Sequence, residues 1–102
     1  MKDVARVFSA IADPTRREIL QILKRGERSA GEIADRFPVS APSISRHLSI
    51  LKAADLVAER RQGNRIFYRL VPERVAHAVG DFLSAVCPTQ IAHRRTRARK
   101  RK

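Results

Sequence analysis

The sequence predicts a mainly α-helical domain with one small β-hairpin, its elements in the order α-α-α-α-β-β-α. Three observations carry that expectation. Apolar residues recur at helical spacing in five stretches between residues 3 and 86. Helix-starting residues stand ahead of three of those stretches: Asp13 with Pro14, Ser29 with Glu32, and Ser40 with Pro42. Between residues 56 and 70 the apolar period shortens to two, on either side of Gln62, Gly63 and Asn64.

The first helix is expected from about Asp3 to Ala12, with Val4, Val7, Phe8 and Ile11 on its apolar side. In "ADPTRREILQILKRG" Asp13 is the N-cap and Pro14 takes the first helical position, where a missing N–H does no harm. Ile19, Leu20, Ile22 and Leu23 turn to the core, Lys24 and Arg25 suit the negative end of the helix dipole, and Gly26 stops the helix. A third, shorter helix opens with the capping box of Ser29 and Glu32. It turns Ile33, Ala34 and Phe37 inward and ends at Pro38. Only Pro38, Val39 and Ser40 then precede a fourth helix, from about Ala41 to Ala54. Leu56 to Arg61 and Arg65 to Leu70 are the hairpin strands, and Pro72 opens a last helix that ends near Val86.

The fourth helix is unusual on its outer side. Ile44, Leu48 and Leu51 form the apolar stripe, while the opposite face holds Pro42, Ser43, Ser45, Arg46, His47 and Ser49. A merely solvated helix favours long charged residues of high propensity, and Ser is a weak helix former. Short hydroxyls with one Arg suit close approach to the floor of a DNA major groove. Two short helices joined by a tight turn make a helix-turn-helix, and the fourth helix stands where the recognition helix belongs. The hairpin after it is then a wing, with Arg60, Arg61 and Arg65 near its tip and suited to phosphate or a narrow minor groove. The winged helix-turn-helix domain spans residues 1–88. It is too small to bury the stripes of both end helices. Val4, Val7, Phe8 and Ile11 of the first helix, and Val75, Val79, Phe82, Leu83 and Val86 of the last, are expected to pair with a second copy across a two-fold axis.

Composition narrows the partner. Net charge is +12 over 102 residues, which calls for an acidic partner. The charge is concentrated at the end: residues 93 to 102, "HRRTRARKRK", hold seven Lys or Arg and no acid. Without them the chain keeps 15 basic and 10 acidic residues. Residues 89–102 are expected to form a disordered basic tail that adds phosphate contacts. No apolar run is long enough to span a bilayer and no signal-peptide core is present, so a cytoplasmic location without membrane insertion is expected. Cys87 is the only cysteine, which excludes an intrachain disulfide.

The segments "ADPTRREILQIL", "SAGEIADRF", "SAPSISRHLSILKAADLV" and "ERRQGNRIFYRL" together resemble the ArsR-type winged helix-turn-helix repressors, over roughly residues 3 to 86. The likeness is greatest to the metal-independent autorepressor branch. It implies a dimeric bacterial repressor of an inverted repeat in double-stranded DNA, often in its own promoter. It places DNA-binding residues at Ser43, Ser45, Arg46 and His47, with Ser40 and Pro42 at the helix entry, and Arg61, Asn64 and Arg65 in the wing. Release by a sequestering protein partner goes with that branch.

Departures from the family's sensors matter. The third-helix metal site needs Cys-x-Cys, and "GEIADRF" has no cysteine. The last-helix site needs Asp-x-His, and Val75 stands two residues before His77. His77 and Asp81 share a helix face, but two ligands do not specify a metal. No metal, cofactor or dithiol switch is therefore expected. No nucleophile-base-orienter set or phosphate-binding glycine loop is present, so the chain is not expected to be an enzyme. The competing function is a non-specific architectural DNA- or RNA-binding protein driven by the tail. A wing-and-helix module serving protein contacts would instead expose apolar anchors on the fourth helix.

Overall fold

The computed structural model describes residues 2–87. The basic tail expected over residues 89–102 lies outside them. Eight elements follow in order: α1 Lys2–Ile11, α2 Pro14–Lys24, β1 Arg28–Ser29, α3 Ala30–Ala34, α4 Ala41–Ala53, β2 Val57–Gln62, β3 Arg65–Leu70 and α5 Pro72–Val86. The chain forms two compact units, Met1–Pro72 and Glu73 onward.

Within the first unit, α1 and α2 both pack on α4, and α3 packs on α4 and on the sheet. The core is Val7, Ala10, Ile19, Leu23, Ile33, Ile44, Leu48, Leu51, Leu56 and Val57. Two of the predicted helix starts have the expected bonds. Asp13 Oδ2 accepts from the Arg16 N–H at 3.1 Å, and the Ser40 hydroxyl accepts from the Ser43 N–H at 3.2 Å. At α3 the capping box closes in both directions: Ser29 Oγ accepts from the Glu32 N–H at 3.1 Å, and Glu32 Oε1 from the Ser29 N–H at 2.8 Å. The end of α4 is fixed by a Schellman motif. Leu56 N–H bonds to Leu51 C=O, Asp55 N–H bonds to Lys52 C=O, and Asp55 takes the left-handed φ of 62°.

The structure departs from the sequence expectation in three places. The hairpin is part of a three-stranded antiparallel sheet of order β1-β3-β2, because Arg28 and Ser29 pair with Tyr68 and Phe67. α3 stops at Ala34 rather than running to Pro38. Arg36 and Phe37 continue with tighter i→i−3 bonds to Ile33 and Ala34, and Phe37 is half-buried. Val7, expected at a dimer surface, is fully buried within the single chain and leaves nothing for a partner to cover. Val4 remains exposed, and Phe8 and Ile11 are half-buried.

The second unit is helix α5. Ala78 is buried, Val75, Val79 and Leu83 are half-buried, and Phe82 and Val86 are exposed, the latter at 62%. Cys87, also half-buried, ends the helix with an N–H bond to Leu83 C=O. No described helix is long and apolar enough to cross a membrane.

Candidate nucleic-acid interface

Helix α4 is held by its inner face. Ile44, Leu48 and Leu51 are each at most 1% exposed, so the helix cannot roll without opening the core. That fixes what faces outward: Ala41, Pro42, Ser45, Arg46 and Ser49 are exposed, as is the capping Ser40. Ser43 and His47 lie on the flank and are half-buried. The Arg46 side chain makes no hydrogen bond or ion pair among the described residues, so its guanidinium keeps all five donors for an outside acceptor.

His47 does not join that outer face. Its side chain is 19% exposed, and Nδ1 lies 3.2 Å from Arg16 Nη1 and 4.0 Å from Asp13 Oδ2. A guanidinium only donates, so in the Arg16 contact Nδ1 is the accepting atom. His47, expected on the DNA side, has its ring against the start of α2.

Arg16 explains why. Its Nε donates to Ala10 C=O at 2.7 Å and its Nη2 to Ser9 C=O at 3.1 Å. Arg17 Nη1 donates to Ile11 C=O at 2.9 Å and Ala12 C=O at 3.2 Å. The carbonyls at a helix C-terminus have no partner within the helix. Both arginines of "DPTRR" thus cap α1, and Arg16 ties that cap to α4 through His47. Asp13 is held below its usual carboxylate pKa first by the Arg16 backbone N–H it accepts, then by the charge of Arg16.

The wing divides its arginines by strand alternation. Gln62 faces Arg65 across the tip, Arg61 faces Ile66, and Arg60 faces Phe67. Gly63 takes a φ of +62° at the first turn position, which suits the twist of a two-residue hairpin. Cross-strand partners share a face, so Arg60, Gln62, Arg65 and Phe67 lie together and Arg61 lies on the other side with Glu59 and Tyr68. The first face is occupied. Arg60 grips Glu27 in a fork, Nη2 to Oε1 at 2.7 Å and Nε to Oε2 at 3.2 Å. That hydrogen-bonded pair lowers the Glu27 pKa and raises that of Arg60. The Arg60 and Arg65 guanidiniums stand 4.6 and 5.1 Å from the Phe67 ring centre, and Arg65 Nη2 donates to Ser29 Oγ at 3.2 Å.

On the second face, Lys52 of α4 pairs with Glu59 of β2, which ties α4 to this side of the wing. Arg61 is exposed and makes no side-chain bond among the described residues. Asn64 is exposed at the tip. Of the three wing residues expected at DNA, Arg61 and Asn64 are open and Arg65 is engaged in holding the wing. Glu27 and Phe67, which orient the wing, carry no motif that would reveal them, and the capping motif at Ser29 does not announce its bond to Arg65, because each acts through a contact distant in sequence.

Comparison with known proteins agrees with this arrangement. A helix-turn-helix domain family model matches residues 11–60. The transcriptional repressor SdpR of Bacillus subtilis (strain 168) is 55% identical over 64 residues, which cover 63% of this chain and 71% of SdpR. An ArsR-like transcriptional regulator from Rhodococcus sp. RHA1 superposes with a TM-score of 0.73 at 35% identity, over 98% of this chain and 92% of that one. The chain belongs to the ArsR family of winged helix-turn-helix transcriptional regulators. Another neighbour, a fragment of Mb0332 from Mycobacterium bovis described as a possible ArsR-family transcriptional regulator, is a homodimeric winged helix-turn-helix DNA-binding domain in solution. It is 36% identical with a TM-score of 0.68, over 82% of this chain and 80% of its own. Other curated regulators are matched over 56% to 85% of their length. On the ArsR-type α5 of this chain, His77 Nε2 lies 3.7 Å from Asp81 Oδ2, and both side chains are well exposed.

Proposed function

We propose that this ArsR-family regulator is a sequence-specific repressor that binds an inverted repeat in double-stranded DNA as a homodimer, and acts in the cytoplasm on its own promoter. The observation that carries the reading is the outer face of α4. Small polar groups and an unengaged Arg46 stand over an immobile apolar anchor. Arg61 of the wing is open on the side that α4 shares through Lys52 and Glu59. α4 enters the major groove, with Ser40, Pro42, Ser43, Ser45 and Arg46 at or near base edges and phosphates. Arg61 and Asn64 follow the backbone beside it.

A second copy covers Val4 on α1 and Phe82 and Val86 on α5, the exposed apolar residues of the two end helices. The homodimeric ArsR-type neighbour supports this. Two recognition helices about 34 Å apart then reach successive major grooves, and the bound dimer blocks polymerase. Release by a sequestering protein is the corresponding off-switch.

The test is a titration of the purified chain against its own upstream DNA and a scrambled control, with and without residues 93 to 102. A preference of ~10³ or more that survives truncation supports sequence reading by the winged helix. If preference vanishes and affinity falls with the tail, the chain is a charge-driven nucleic-acid binder instead.

A further inference from the structure

The entry of α4 carries apolar groups where a reading helix usually carries donors. Val39 is 44% exposed, and Ala41 and Pro42 are exposed in the first turn. Val39 stands just before the N-cap, the position from which a hydrophobic residue staples onto the fourth helical residue, here Ile44. Pro42 has no N–H, and the Ser43 N–H is already taken by Ser40 Oγ. The backbone of the leading turn therefore offers few donors, and beside the Ser hydroxyls it presents a small apolar surface.

In a helix-turn-helix the N-terminal residues of the recognition helix are the ones that meet base edges. The major groove shows one apolar group, the C5-methyl of thymine. Exposed Arg46 lies about one turn further on along the same helix, so the apolar patch adjoins a cation that suits a polyanion rather than an apolar protein anchor. From this we infer that Val39, Ala41 and Pro42 read thymine methyl groups at one or two positions in each half-site. Arg46 then addresses acceptors such as guanine O6 and N7 about a helical turn along the patch. The inference rests on α4 entering the major groove and adds the base class that its entry selects.

The experiment takes the full chain and the DNA protected upstream of its own gene, and replaces each thymine singly by deoxyuridine, which deletes only the methyl. Wild type should lose about 3–5-fold in affinity at one or two positions per half-site, the value of one methyl removed from water. Val39→Ser, Ala41→Ser and Pro42→Ser should bring the thymine-to-uracil ratio to near one at the matching position. A ratio measured on one variant is unaffected by how much of that variant is folded. Specific binding with no uracil-sensitive position overturns the inference and leaves the repressor reading intact. Uracil sensitivity that none of the three variants changes also overturns it, since the methyl is then read elsewhere. Loss of all sequence preference in wild type would instead defeat the repressor reading.

Discussion

Arg16→Ala tests whether the start of α2 carries the domain's central latch. The substitution removes the donors to Ala10 C=O and Ser9 C=O, at 2.7 and 3.1 Å, and the contact with His47 at 3.2 Å. Hydrogen bonds from a charged group are each worth about 1.5–3 kcal/mol. Only the bonds to Ala10 and His47 are sheltered from water, and the Ser9 bond is exposed. Counting the sheltered pair at the low end and the exposed bond at little gives a loss of roughly 2–3 kcal/mol. A domain of this size loses about 4–8 °C per kcal/mol, so Tm should fall by roughly 10–20 °C. The assay is thermal unfolding followed by far-UV circular dichroism near neutral pH, at matched protein concentration because dimerisation shifts apparent stability. Arg16→Lys should recover less than half of the loss, since an ammonium cannot fork across two carbonyls and a ring nitrogen. Arg46→Ala, which removes no internal bond, is the control and should move Tm little. A fall in Arg16→Ala no larger than that of the control would refute the latch.

Arg46→Ala should instead cost about 1–3 kcal/mol of operator affinity if the side chain grips a base in two places, and an unchanged Kd in a fluorescence-anisotropy titration would remove that role. Arg61→Ala should weaken binding to all sequences alike and lower the salt slope of log K by about 0.9 per phosphate contact, whereas removal of residues 93 to 102 should lower it further. Acid should destabilise the fold through Asp13, Glu27 and Glu32, whose pKa values lie below their ordinary 3.8 and 4.5. A carboxylate with a depressed folded pKa adds stability above its unfolded value and loses it as pH falls through the folded one. Urea midpoints should therefore hold at neutral pH and drop below those ordinary values. Glu27→Gln should flatten the drop in part, and an identical acid profile would show that the Arg60 pair contributes nothing to folding.

The wing shows where sequence reasoning reaches its limit. Alternation along β2 and β3 separates Arg60 and Arg65 from Arg61 in any drawing of the hairpin. It does not say that Glu27 and Ser29 wait on one side and Lys52 on the other. His47 sits on the flank of an apolar stripe by spacing alone, and its partner Arg16 lies 31 residues away. Val7 belongs to the same apolar stripe as Val4, yet one is fully buried and the other exposed.

What the sequence alone determined is what depends on neighbours along the chain. The caps at Asp13, Ser29 and Ser40 act within three residues, the stripe Ile44-Leu48-Leu51 follows from 3.6 residues per turn, and the tip at Gly63 needs a φ that glycine adopts freely. From these came the helix order, the hairpin and the face that α4 turns outward. Only the tertiary structure decided the two-residue strand β1, the early end of α3, the burial of Val7, and which arginines hold the fold and which stay open. β1 is too short to show any periodicity and exists because the edge of β3 passes beside it. Arg16, Arg17, Arg60 and Arg65 are chemically the same as Arg46 and Arg61. Their roles differ because packing brings unpaired carbonyls, a carboxylate, a hydroxyl or a ring within reach of the first four.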